Sequence, residues 1–173
     1  MMKRMLVAVA VLVAPTAAAE EPARAPDAVR QLEGCWTGRG EVMGKPVTIA
    51  VEARPVALGA IMALDASSVA VADPSDRYAA HLVFGGGKGA GEVIGFWSDS
   101  FGGSMTATGT GSVQPAGFDI SYPYPDAEFV NRWRPAGEQL GWTIIARDAK
   151  GGEQPFASYD MHRVPCGKGL TAR

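Results

Sequence analysis

The chain has 173 residues, 47% of them hydrophobic, with 16 basic and 18 acidic side chains and a net charge of −2. That length suits one domain with a sizeable core. Weak acidity without a basic run argues against nucleic acid, whose affinity comes from neutralised phosphates, and against an anionic membrane surface.

The N-terminus carries the pattern of a secretory signal. Lys3 and Arg4 form a short positive stretch, Met5 to Ala14 is unbroken and apolar, and Ala17-Ala18-Ala19 places small residues where a signal peptidase cuts. The apolar run is about half of what a membrane-spanning helix needs, and no later segment is long and apolar enough to span. Cleavage after Ala19 is therefore expected, with export to an oxidising compartment, a bacterial periplasm foremost. Leu32-Glu33-Gly34-Cys35 resembles a lipoprotein cleavage site but lies too far beyond the apolar run.

Residues 20–26 read as a flexible, charged leader. Asp27 is placed to cap a short helical turn through Leu32. Beyond it Gly and Pro cut the chain into short alternating pieces, as an antiparallel β domain requires. The pattern predicts about ten strands, over 34–42, 46–53, 60–71, 77–84, 91–98, 104–113, 117–122, 128–134, 139–147 and 155–164. Gly85 to Gly89 forms a turn, and Pro123 and Pro125 force a loop because neither can donate to a ladder. Residues 167–173 are expected to be a loose tail. Short strands with turns roughly every dozen residues mean a sandwich or an up-and-down barrel.

Two cysteines, Cys35 and Cys166, stand at opposite ends of this domain. An even pair in an exported chain reads as a disulfide, with two buried thiols as the alternative. No second Cys or His lies at ligand spacing for a metal site. Lys88 in the glycine run is followed by Gly89 and Ala90, not by the Ser or Thr of a phosphate loop. Ser98 or Ser100, His81 and Asp99 supply the residue types of a hydrolytic triad, but without the Gly-x-Ser-x-Gly turn that exposes a nucleophile. No catalytic residue, metal or cofactor is assigned.

The segment Leu32-Glu33-Gly34-Cys35-Trp36-Thr37-Gly38-Arg39-Gly40 resembles the opening of the calycin barrels: lipocalins, fatty-acid-binding proteins and nitrobindin-like proteins. Gly38 and Gly40, with Phe96-Trp97-Ser98-Asp99-Ser100 near mid-chain, are most similar to an uncharacterised bacterial family of such barrels. The resemblance implies a single antiparallel up-and-down barrel over 27–166, closed by a basic residue of the last strand packed over the first-strand Trp. Here those residues are Arg163 and Trp36. Successive strand side chains switch faces, so Cys35 faces away from Trp36 and Cys166 away from Arg163. Trp36 with Arg163 and Cys35 with Cys166 then form two cross-strand pairs on opposite faces of one ladder.

Nitrobindin-like proteins bind haem through a His near the C-terminus, which would be His162. The same parity points His162 outward, and His81 alternates onto an outer face. Alternation puts Trp97, Phe129, Asn131, Trp133, Trp142, Ile144 and Tyr159 inside, while the sixth strand's face of Met105, Ala107, Gly109 and Gly111 leaves the interior thinly filled. Trp97, Asn131, Trp133, Trp142 and Tyr159 are the candidate ligand-binding residues, for a small apolar or amphipathic molecule. A filled core would use the same residues. Arg132 and Arg134 face out, and would become a carboxylate anchor only in the reversed register. The other readings are nitrobindin-like haem chemistry, a barrel isomerase or lyase, and a module that docks another envelope protein.

Overall fold

The computed structural model describes residues 23–167. The expected signal at 1–19, the start of the leader and all but the first residue of the tail lie outside the described residues. One helical turn, α1 (Asp27–Arg30), precedes ten strands: β1 (Gly34–Val42), β2 (Lys45–Val56), β3 (Ile61–Ala70), β4 (Arg77–Gly86), β5 (Glu92–Asp99), β6 (Ala107–Gln114), β7 (Gly117–Pro123), β8 (Glu128–Ala136), β9 (Gln139–Arg147) and β10 (Glu153–Val164). Each strand pairs antiparallel with the next, and β10 returns to β1, so the sheet closes into an up-and-down barrel without edges.

Several strands run a few residues longer than expected, β2 to Val56 and β4 to Gly86 among them, and three details differ for a local reason. Asp27 is not the cap of α1 but its first residue. Pro26 takes the capping position with no side-chain hydrogen bond, and the Asp27 carboxylate pairs with Arg30 one turn on. β6 begins at Ala107 rather than 104 because Gly103–Met105 makes a 3₁₀ turn. β10 begins earlier, at Glu153, and its register against β9 shifts between Pro155 and Ala157. Pro155 cannot donate to the ladder, and a bulge is where a strand tolerates it.

The helix, the β2–β3, β4–β5, β6–β7 and β8–β9 connections and the strand ends near the disulfide gather at one end of the barrel. This end is closed. Val29, Leu32 and Trp36 are fully buried, and Trp36 Nε1 donates to the Leu32 carbonyl at 2.8 Å. Trp36 stands in register opposite Arg163. The guanidinium carbon of Arg163 lies 4.0 Å from the indole centroid, and its Nη1 donates to the Glu33 carbonyl at 2.6 Å. Gly34 makes this approach possible. Its φ is +122°, a conformation that strains any side chain, and a Cβ there would meet Arg163 Nη1 at 2.2 Å and push the guanidinium from its place.

On the opposite face of the same ladder Cys35 and Cys166 form a disulfide, with Cα atoms 5.2 Å apart and a sequence separation of 131. The register partner of Cys35 is Val164, so the bridge runs diagonally to a residue two places beyond the end of β10.

Candidate functional site

The other end of the barrel is open, ringed by the β1–β2, β3–β4, β5–β6, β7–β8 and β9–β10 connections. A cavity of about 860 Å³ enters there and reaches the middle of the barrel. Its existence follows from how the inward positions are filled. Below it, aromatic side chains stack into a column: Trp133 lies on Trp142 with centroids 4.2 Å apart and planes 13° from parallel, and Phe118 stacks behind Trp133 at 6.2 Å. Along one side of the barrel β6 turns the small residues Ala107 and Gly109 inward. Gly95 and Gly109 face each other across β5 and β6, and the Tyr122 ring occupies part of that gap. A Cβ on Gly109 would meet the ring at 2.8 Å, and one on Gly95 would meet its hydroxyl at 2.6 Å.

Alternation places the inward set as expected: Trp97, Asn131, Trp133, Trp142, Ile144 and Tyr159 are buried and Phe129 half-buried. Trp97, Phe129, Asn131, Trp142, Ile144 and Tyr159 border the cavity. Trp133 does not. It lies one layer deeper, behind Trp142, because the two indoles stack in series. Asn131 fixes the Trp142 indole by accepting its Nε1–H at 2.9 Å, and its own amide donates to the Phe129 carbonyl at 3.2 Å. Tyr159 packs tilted on Trp142 at 4.9 Å, and Trp97 packs edge-on to Tyr122 at 5.5 Å.

Tyr78, Asp99, Tyr122 and Phe156 also border the cavity and are not among the inward candidates of the sequence. Tyr78 and Asp99 share one polar cluster: Asp99 Oδ2 accepts from the Tyr78 hydroxyl at 3.1 Å and from Trp97 Nε1 at 3.0 Å, and Oδ1 accepts from the Phe101 amide at 2.9 Å. Alternation from Phe84 back to Tyr78 and from Trp97 to Asp99 was the available signal. Tyr122 likewise alternates with Phe118 and Ile120. Phe156 is inward only because of the bulge at Pro155, which sets it beside Ala157 and against Phe129 at 5.0 Å. No period-two pattern would find it.

The buried phenols are held neutral. Burial pushes the Tyr78 phenol well up, and the charge and hydrogen bond of Asp99 add to it. Burial does the same for Tyr122, and it pushes Tyr159 up to about 12.

Both histidines lie on the outer face, exposed, and neither borders the cavity. His162 stands opposite Thr37 on β1. His81 pairs through Nδ1 with Asp65 at 2.7 Å, and Arg54 bonds the other oxygen of that carboxylate at 2.9 Å. Partial burial pushes the Asp65 carboxyl up, but the hydrogen bonds from His81 and Arg54 outweigh it and hold it below its usual range. Ser98 is the cross-strand neighbour of His81, and a shallow depression of about 440 Å³ lies over this row. The Ser98 hydroxyl donates to the main-chain oxygen of His81 at 3.3 Å, and Asp99 is committed to the cavity. The Ser100 hydroxyl accepts from the Ala79 amide at 3.3 Å, and the His81 ring pairs with Asp65, so the triad of Ser98 or Ser100 with His81 and Asp99 is not assembled.

The glycine run forms a hairpin loop, as expected, with Glu92 accepting from the Gly89 amide at 2.9 Å. Arg134 pairs on the outer face with Asp119 at 2.6 Å, and Arg132 approaches Glu153 at 3.9 Å. The reversed register, with either arginine as an interior anchor, does not occur. Among the described residues no three His, Cys, Asp or Glu side chains gather as a metal site.

No protein-family model and no curated protein matches the chain. Among solved structures it is similar to the crystal structure of Rv2717c from M. tuberculosis, with a TM-score of 0.62 at 17% sequence identity, covering 81% of this chain and 99% of that one. That likeness is one of barrel fold.

Proposed function

We propose that this protein is an exported, non-enzymatic barrel of calycin type that holds one small apolar or amphipathic molecule in its open half. The observation that carries the reading is the cavity of about 860 Å³, closed beneath by stacked indoles and open at a mouth between loops. Its size and its mostly apolar wall with a few placed polar groups are those of a small-molecule site. Export accords with the disulfide, which persists in oxidising compartments. Among the described residues no helix is long and apolar enough to cross a membrane.

The test uses a neutral, uncharged naphthylamine dye whose emission rises in apolar surroundings. Wild-type protein should bind it at one site, with energy transfer from Trp97 and Trp142. Ala70→Trp, which fills the cavity from β3, should abolish binding while leaving the fold intact. Failure of the dye to bind, or binding unaffected by Ala70→Trp, would reject the cavity as the site.

A further inference from the structure

The cavity has a charge character that the fold does not require. Aromatic rings make up much of its wall, among them Tyr78, Trp97, Tyr122, Trp142 and Tyr159. Three carboxylates border it, Asp76, Asp99 and Asp126, against one cation, Lys45. Lys45 is matched by Asp76 at 3.6 Å, out at the mouth. Asp99 is different. It is half-buried, it accepts three hydrogen bonds from neutral donors, and no arginine, lysine or histidine among the described residues pairs with it. Nor do these carboxylates converge as a metal set. A second polar group marks the same wall as a ligand surface without adding to its charge. Tyr159 is 5% exposed and borders the cavity, and its hydroxyl makes no hydrogen bond to a described residue.

Resting on the reading of the cavity as a ligand site, we infer that its ligand is an organic cation: an amine or quaternary ammonium with an apolar body. Ring faces carry negative quadrupole density and attract such cations, most strongly where water is excluded. An unpaired carboxylate in a half-buried wall favours a cation and disfavours an anion by the same Coulomb term. A fatty acid meets the opposite of what it needs, because both arginines that could have anchored its carboxylate face outward. The apolar body would lie on Trp142 and Ile144, with the charged end turned to Asp99 and the rings of Trp97 and Tyr78.

Three probes with the same tail and different heads test this: decyltrimethylammonium, decanol and decanoate, each below its micelle-forming concentration, read by intrinsic tryptophan fluorescence and calorimetry. The cation should bind at least roughly tenfold more tightly than decanoate, and more tightly than decanol; a tenfold ratio is a modest demand on a carboxylate within a few ångströms. Raising the salt concentration should weaken the cation and leave decanol unchanged. Asp99→Asn, which keeps an acceptor for Tyr78 and Trp97, should bring the cation to within about threefold of decanol; the wild-type comparison and its salt dependence decide the question even if that variant folds poorly. Decanol or decanoate binding as tightly as the cation would overturn the charge preference and leave the cavity reading standing. Binding of none of the three, together with failure of the neutral dye, would overturn both.

Discussion

At the closed end of the barrel Val29, Leu32 and Trp36 have no exposed surface, whereas at the open end Met43 and Phe101 are each 73% exposed. The same ten strands run through both ends. What differs is the fate of the polar groups. Below, the Leu32 and Glu33 carbonyls are taken by Trp36 and Arg163, and a covalent bridge fixes the ladder from outside. Above, Asp99 and Tyr159 face a space, and apolar side chains stand around its mouth. One end is built to hold the sheet closed, and the other is kept open at some cost in packing. Substitutions should therefore separate the two: large losses of stability below, small ones above.

The largest loss is expected at Trp36. Trp36→Ala removes a fully buried indole, its hydrogen bond and the surface under Arg163, and should destabilise by about 3–5 kcal/mol in denaturant titration. A loss below 1 kcal/mol would mean that the floor of the barrel does not depend on this contact. Next comes the bridge. Cys35→Ser with Cys166→Ser, or reduction, should lower stability by about 2–5 kcal/mol without changing the native fold, because a link across 131 residues acts chiefly on the unfolded chain. Non-reducing peptide mapping of exported protein checks the pairing, and free thiols at both positions would reject it.

Much of the closed end was legible from the sequence because its contacts obey one short rule. Strand side chains alternate, so Trp36 with Arg163 and Cys35 with Cys166 could be paired by parity from opposite ends of the chain; the register bears out the first pair, and the second forms as a diagonal bridge just past the end of β10. The open end was half legible. Trp97, Asn131, Trp142 and Tyr159 follow alternation to the cavity. Trp133 follows it too but lies beneath Trp142, since alternation gives a face and not a depth. Phe156 escapes because a bulge breaks the period. Tyr122 enters the Gly95–Gly109 gap across a sheet whose curvature no local pattern encodes. The pairing of His81 with Asp65 rather than Asp99 depends on the register of β3 against β4, which hydrophobic alternation leaves free by two residues.

Alkaline pH sharpens the comparison, because the strongly shifted phenols, Tyr78, Tyr122 and Tyr159, all border the cavity. Their folded-state values are raised above the unfolded value of about 10. The stability they contribute is fully present below pH 10 and is lost as pH climbs toward the folded values, about 12 for Tyr159. The denaturation midpoint should be flat from about pH 7 to 9 and fall above 10. Phenolate absorbance should appear late and together with unfolding. Ionisation of all four tyrosines near pH 10 in protein that stays folded would refute the burial of these rings.

The smallest effect on stability is expected at the mouth. Phe101 is 73% exposed, touches Tyr78 at 5.6 Å between ring centroids, and follows Asp99 by two residues. Phe101→Ser leaves its main-chain amide, the donor to Asp99, in place and removes little buried area, so stability should change by no more than about 0.5 kcal/mol. The ring's position over the entrance gives it a different role. An apolar group beside a cavity mouth shields a ligand already inside and offers first contact to one arriving. Dye release from Phe101→Ser should accordingly be faster than from wild type in stopped-flow displacement, with an unchanged melting transition. A destabilisation as large as that of Trp36→Ala would show that the two ends are not divided in this way. An unaltered release rate would place the exit path elsewhere on the rim, beside Met43.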